Sequence, residues 1–382
     1  MNTDYERKVA SWRTRCALVG GAALVASLAG GWFESRQFFP AYLYAYLFWV
    51  GLSVGCAMIT MIHHLTGGKW GHPVRRFLET GAATMPIMAI LFVPIAFGLQ
   101  ELYPWARSDL DKELLKKAAY LNPAFFIART VLYFLIWSAL LWRLRRISLE
   151  QDRTGSPQPS RRLLSVSGPG VIVLTLTATF AYIDWIMSLE PKWHSTVFPI
   201  ILLAGQILVG FCFCALLLKM FNMEKSMANA SHFHALGNLI LTFVLFWAYL
   251  VFSQLLIIYS GNKPDEISWY LRRIAGGWKI VILVVAGLHF FLPFLLLLFR
   301  SFKRSLGALA SLTGLLAAVH LVYCYWIVKP AFPSLSLSWM DFTTPLAIGG
   351  IWCASFLWLL EGEALVPIND QRIKEELAYA EA

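Results

Sequence analysis

Charge is what this 382-residue chain has least of. Asp, Glu, Lys and Arg make up 14% of it, against about 25% in a soluble domain. Hydrophobic residues reach 58% and the mean hydropathy is +0.61. Those values exclude a single soluble globule, and they exclude disorder. The six cysteines, Cys16, Cys56, Cys212, Cys214, Cys324 and Cys353, all fall in apolar runs and form no C-x-x-C or C-x-x-C-H. Covalent c-type haem and a cysteine-held iron–sulfur cluster therefore find no motif, and the thiols read as buried and inert. A phosphate-binding glycine loop, an H-E-x-x-H pair and a readable Ser/His/Asp set are also missing. No catalytic residue and no metal-ligand set follows from the pattern. The net charge of +10 does not point to nucleic acid, because the basic residues sit in short loops between apolar runs, as membrane orientation produces.

What the chain does have is apolar length. Runs near 16–33, 39–65, 74–98, 123–143, 168–189, 197–219, 235–259, 278–299, 306–327 and 343–361 match the roughly 20 residues that a spanning helix needs. The expected fold is all-α: a polytopic integral membrane protein with ten transmembrane helices. Arg13 and Arg15 before the first run resemble the start of a signal peptide, but nine more runs follow, and the first is read as an uncleaved helix. Ten spans put both termini on one side. The loops of that side hold 20 Lys and Arg, the opposite loops hold 11, and Arg129 lies inside a run. Both termini are therefore expected in the cytoplasm. Trp105, Trp193, Trp269, Trp278 and Trp339 fall at outer ends, where an aromatic belt belongs. Residues 144–166, with Thr154-Gly155-Ser156-Pro157 inside, read as a cytoplasmic linker, and the acidic 362–382 as a cytoplasmic tail.

A weak internal repeat is visible. Helices 2–4 begin near 39, 74 and 123, and helices 6–8 near 197, 235 and 278. The pattern predicts two four-helix bundles of one orientation, 39–189 and 197–327, with helices 1 and 10 peripheral. Gly51 and Gly55 form a G-x-x-x-G, compatible with close helix packing.

Ionisable groups in hydrocarbon are costly, so each marks a candidate site. At a rise of about 1.5 Å per residue, Arg129 in helix 4 and Asp184 in helix 5 both fall in the outer part of the first bundle. They are expected to face each other in a shared outer cavity, as a functional pair or as a structural one. His63 and His64 end helix 2, and Glu79 lies on the second turn of helix 3, at similar depth on the inner side. Imidazole beside carboxylate suits a proton relay; interfacial solvation and a carboxylate at a helix start are the bland alternative. The second bundle carries Gln206, Asn238, Gln254, His289 and His320, which line a second pathway or bond between helices. His289 and His320 also raise a bis-histidine haem, which their differing predicted depths disfavour.

Longer motifs carry a likeness. Helix 5 runs into Asp184-Trp185-x-x-Ser188-Leu189-x-Pro191-x-Trp193-His194. Helix 7 holds Phe252-Ser253-Gln254-x-Leu256-x-Ile258, followed by Trp269-Tyr270-x-Arg272-Arg273. The first bundle adds His63-His64-x-x-Gly67-Gly68-Lys69-Trp70-Gly71 and Tyr103-Pro104-Trp105. Over nearly the whole chain these resemble the F-subunit (ActF) family of bacterial alternative complex III, a quinol:electron-acceptor oxidoreductase of the respiratory chain. The resemblance implies a ten-helix subunit of the bacterial inner membrane, related to the C subunit of that complex and to NrfD/PsrC-type quinone-reactive proteins. It implies no redox centre in this chain, with haem c and iron–sulfur clusters held by partner subunits, and a quinone as a candidate ligand. The implied partners are the NrfD-like C subunit, the iron–sulfur subunit, the haem c subunits and a terminal oxidase, within lipid. Asp184 and His194 match by position a stretch near the quinol site of the C subunit, where a base and a hydrogen-bond donor are needed. Two other functions remain open: a secondary solute transporter with its site between the bundles, which calls for broken helices, and a purely structural subunit. Pro86, Pro94 and Pro293 are the strong mid-helix breakers.

Overall fold

The computed structural model describes residues 3–154, 158–225, 228–332 and 336–365. Among them every regular element is helical, and ten helices are long and apolar enough to cross a membrane. The chain is a multi-pass helical membrane protein. The spans are α1 (Thr3–Phe33), α2 (Ser35–Thr66), α3 (Arg75–Phe97), α4 (Pro123–Thr154), α5 (Gln158–Trp185), α6 (Phe198–Met220), α7 (Ala230–Gly261), α8 (Trp278–Leu298), α9 (Leu306–Val328) and α10 (Met340–Leu360). The ion pair of Arg13 with Glu361 puts the start of α1 and the end of α10 on one face, called here the terminal face. Most of the 144–166 linker is helical, because α4 continues to Thr154 and α5 begins at Gln158. Gln151 Nε2 donates to Ser160 Oγ at 2.7 Å across that join. The tail beyond 365 lies outside the described residues.

Two helices form the interior. The apolar window of α2 is 89% buried and that of α6 is 83% buried, against 11% for α1 and 22% for α8. A helix apolar all round belongs inside other helices. α2 packs on α3 and α5, and α4 completes a ring between those two; α6 packs on α7 and α9, and α8 completes the second ring. α1 packs on α10. Where the rings meet, α2 and α6 touch backbone to backbone. A Cβ at Gly55 would lie 2.2 Å from the Gln206 carbonyl oxygen, one at Gly51 2.5 Å from Gln206 Cγ, and one at Gly210 3.2 Å from the Gly55 carbonyl carbon. Small residues permit that approach, and close packing is what holds helices together in lipid.

Proline shapes the irregular spans. α3 is cut into Arg75–Ala82, Met85–Leu91 and Val93–Phe97, with Pro86 and Pro94 opening the later pieces. Bare carbonyls in hydrocarbon are expensive. Tyr46 donates to the Met88 carbonyl and Tyr42 to the Leu91 carbonyl, both at 2.8 Å. In α10, Pro345 removes the amide that would bond the Asp341 carbonyl, and the Tyr44 hydroxyl donates there instead. In α8, Pro293 likewise leaves the His289 carbonyl without its amide, and the turn Ala286–Phe291 is π-helical. The expected aromatic belt is thinner than the sequence implied. Trp339 is half exposed, but Trp105, Trp193 and Trp269 are buried, because they stack and hydrogen-bond within the protein.

Gly55→Ala tests the seam between the rings. It is expected to destabilise the solubilised protein by about 1–3 kcal/mol, the range for overpacking. Gly21→Ala, where a Cβ meets nothing within 4 Å, should not lower the melting midpoint, since alanine is the better helix former.

Candidate functional site

The first cluster lies at the face opposite the termini. Arg129 on α4 binds Asp184 on α5 through both ends of its fork, Nε to Oδ2 at 2.8 Å and Nη2 to Oδ1 at 2.9 Å. The Tyr133 hydroxyl donates to Oδ2 at 2.8 Å. Arg129 Nη1 donates to the Tyr120 carbonyl at 2.9 Å, and the guanidinium rests on the Tyr120 and Phe125 rings at 3.9 and 4.3 Å. The depth count thus brought the right residues together. They meet in packed interior, however, and not on the wall of an open cavity: Asp184 is fully buried and Arg129 is 8% exposed. Aromatic rings fill the space around the fork. A cleft of about 250 Å³ opens beside the pair, lined by Tyr120, Ile183, Met187, Ser188 and His194. His194 is exposed at its rim, two turns past the end of α5 where helical spacing no longer governs, and it makes no hydrogen bond to Asp184 among the described residues. Burial, then the Asp184 carboxylate, push the Tyr120 phenol up to about 12.

The second cluster sits at the terminal face around Glu79 of α3. Arg75 Nε donates to Oε1 at 2.8 Å and Arg76 Nη1 to Oε2 at 2.9 Å. Ser148 of α4 reaches both oxygens, at 2.7 and 2.8 Å. Arg75 also donates to Gln151 at 3.0 Å, and Arg76 pairs with Asp152. His64 Nε2 lies 3.7 Å from Oε1, while its Nδ1 is 3.0 Å from Ser167 Oγ of α5. The expected His64–Glu79 pairing is therefore present. His63 turns away to the loop, with Nε2 3.2 Å from the Gly68 carbonyl and its ring against Trp70 and His72. Arg75 and Arg76 had counted as loop charges. Their spacing of four and three residues to Glu79 on one helix was the available signal.

The second-ring candidates fall into four separate places. Gln206 accepts from Tyr182 of α5, across the seam. Asn238 accepts from Lys303 at 2.6 Å. Gln254 accepts from Ser195 and donates to Tyr270, both at 3.0 Å. His289 and His320 meet at 3.2 Å, Nε2 to Nδ1, contrary to the depth difference expected for them; the π turn carries His289 onto α9. The two rings bond to each other directly and do not face across a gap, which is not the geometry of paired axial ligands. Their environment is aromatic, with Trp247 4.3 Å from His289 between ring centres. Among the described residues no three His, Cys, Asp or Glu side chains converge as a metal site would require.

Two buried pairs escaped sequence reasoning. Glu190, just past α5, binds Arg273 at 2.6 Å and Arg272 at 2.9 Å, from the short helix Pro264–Ile274. Burial pulls the Arg273 guanidinium down to about 10, against the opposing pull of Glu190. Arg273 also lies on Trp269, which stacks on Trp193 at 4.8 Å. Lys329 at the end of α9 pairs with Asp341 at the start of α10, at 2.8 Å and 2% exposure on both sides. Both pairs join residues on different elements at helix ends, where no single-helix spacing announces them.

Asp184→Asn strands Arg129 and is expected to cost about 3–5 kcal/mol of stability. Arg129→Gln/Asp184→Asn should recover most of it, as a thermal-melt double-mutant cycle would read. Tyr120 gives a pH test. Its folded pKa lies above the ordinary phenol value near 10, so its contribution is intact below about pH 10 and is lost as pH rises through about 12. Difference absorbance of wild type against Tyr120→Phe should show one phenol ionising late in the folded protein.

No protein-family model matches the chain, and no curated protein matches it in sequence.

Proposed function

We propose that the chain is the polytopic subunit of a quinol-oxidising respiratory complex in a bacterial inner membrane, with both termini cytoplasmic. In this role it braces the complex and provides proton half-channels that end at Asp184 and Glu79. The observation that carries the reading is the pair of buried ion networks at opposite ends of the same four helices, α2–α5. Fixed charge at such depth is costly and marks proton and ion paths. The motif-bearing stretches supply a member of each network: Asp184 at one face, His64 at the other. His64 is placed to exchange a proton with Glu79, its Nε2 lying 3.7 Å from Oε1. Tyr133 is placed to do so beside Asp184. Between the two ends Trp185 packs with Phe92, Phe134, Trp137 and Tyr46 at 5.1–6.1 Å. That aromatic layer separates the half-channels, as coupling to a redox partner demands.

A quinol head group does not fit this chain well as a reactant. The cleft beside Tyr120 offers His194 at its rim but no carboxylate, because Asp184 is sealed behind its own partners. Quinol oxidation needs a positioned base. The reading therefore places quinol chemistry, haem c and iron–sulfur clusters in partner subunits. The rival transporter gains the breaks in α3 and α8 in its favour, but the seam between the rings, where its substrate would lie, is filled by Gln206 against Gly51 and Gly55.

The test uses the neutral double variant, which removes the charges without stranding one. In native membranes, Arg129→Gln/Asp184→Asn is expected to co-purify with haem-containing subunits and to lower quinol-driven proton release about 100-fold, the low end of acid–base effects. Wild-type proton stoichiometry in the assembled variant would sink the half-channel. A wild-type chain that purifies alone and moves a solute would sink the complex.

A further inference from the structure

The lipid-facing side of α4 changes character along its length. Leu132, Leu135, Ala139 and Trp142 follow one another three and four residues apart and are exposed, Leu135 at 62% and Trp142 at 63%. That spacing keeps them on one face. The same stripe then continues through Arg146 and Arg153, also exposed. Arg146 lies over the Trp142 ring at 5.3 Å. Arg145, one step round the helix, donates through Nη2 to the Leu359 carbonyl of α10 at 2.7 Å and lies 3.7 Å from Glu363. Its Nη1 is buried with no hydrogen-bond partner.

Trp142, Arg145, Arg146 and Arg153 line a cleft of about 480 Å³ at the terminal face, together with Leu149, Glu150 and Thr154. Glu150 is engaged by Arg162 at 3.3 Å. Among the described residues neither Arg146 nor Arg153 reaches a carboxylate. Among the described residues the cleft therefore holds two guanidiniums with no ion-pair partner and one unfilled donor, directly above an apolar stripe. From Arg146 to Leu132 is about 21 Å along the helix, enough to run the depth of one leaflet's hydrocarbon, about 15 Å.

We propose that this end of α4 holds an anionic phospholipid of the surrounding bilayer. Its phosphate lies among Arg146, Arg153 and the Nη1 of Arg145, and its acyl chains lie along Trp142, Leu135 and Leu132. Guanidinium matches phosphate in geometry and charge. A zwitterionic head group would bring its own cation against the arginines, and free phosphate would leave the stripe unused. The site stands on geometry outside both ion networks, so it does not depend on what the chain does in a respiratory complex.

The full chain, purified in detergent, is titrated with phosphatidylglycerol, phosphatidylcholine or inorganic phosphate, and bound lipid is counted by native mass spectrometry. Phosphatidylglycerol should be retained in preference to phosphatidylcholine and should resist displacement by equimolar inorganic phosphate. Arg146→Gln/Arg153→Gln is expected to weaken retention roughly 30-fold, from the usual gain per basic residue near a membrane surface. Arg143→Gln, exposed but off the cleft, should leave it unchanged. An unaltered lipid-free melting midpoint will show that the double variant is folded. Equal retention of the two lipids, wild-type retention in the double variant, or equal loss in Arg143→Gln overturns the site; displacement by inorganic phosphate overturns its lipid character.

Discussion

Where α2 crosses α6, Gly51, Gly55 and Gly210 bring two backbones into contact, and most of the architecture follows from that crossing. Each helix is the inner member of its own ring, so the distance between them fixes how the rings sit against each other. Lipid supplies no hydrophobic push between helices, and the stabilisation must come from dispersion at close range and from polar bonds across the join. Gln206 provides both. Its side chain fills the space that Gly51 leaves, and its amide oxygen takes the Tyr182 hydroxyl from α5.

Among the described residues the buried carboxylates and guanidiniums around this seam are all paired, while the buried Lys303 bonds the neutral Asn238. Arg129 has Asp184, Glu79 has Arg75 and Arg76, Glu190 has Arg273, and Lys329 has Asp341. A buried pair is weak evidence for stability, since desolvation offsets most of the attraction. Such pairs do fix which helices lie together, because a mispaired arrangement would leave several unmatched charges in hydrocarbon. The fork of Arg129 ties α4 to α5, Ser148 ties α4 to α3, and Asp341 ties α9 to α10.

The spans were legible because an apolar run of about 20 residues has few other stable fates. Arg129 and Asp184 were legible as a pair because regular helices convert residue number into depth. The same conversion failed for His289 and His320, where a π turn after Val285 breaks the regular rise. It could not place His194, which belongs to a loop. Arg75 and Arg76 look like interfacial charges to a count of loop residues, yet they are 3% and 1% exposed. Burial of a helix end under neighbouring helices is a property of the assembled bundle and not of any one segment. The Glu190–Arg273 pair was hidden for the same reason, its partners being 83 residues apart.

The tyrosines of α2 bear on how the chain enters the bilayer. Tyr42 and Tyr46 satisfy carbonyls at the breaks of α3, and Tyr44 satisfies the one that Pro345 leaves free in α10. Inserted alone, α3 would carry those carbonyls bare into hydrocarbon, at several kcal/mol apiece. α2 and α3 therefore enter most cheaply as a hairpin, side by side from the start. α10, which is synthesised long after α2, can settle only once α2 is in place to receive it. The order of synthesis and the order of need coincide, so α2 acts during biogenesis as a template for two helices that are irregular by themselves.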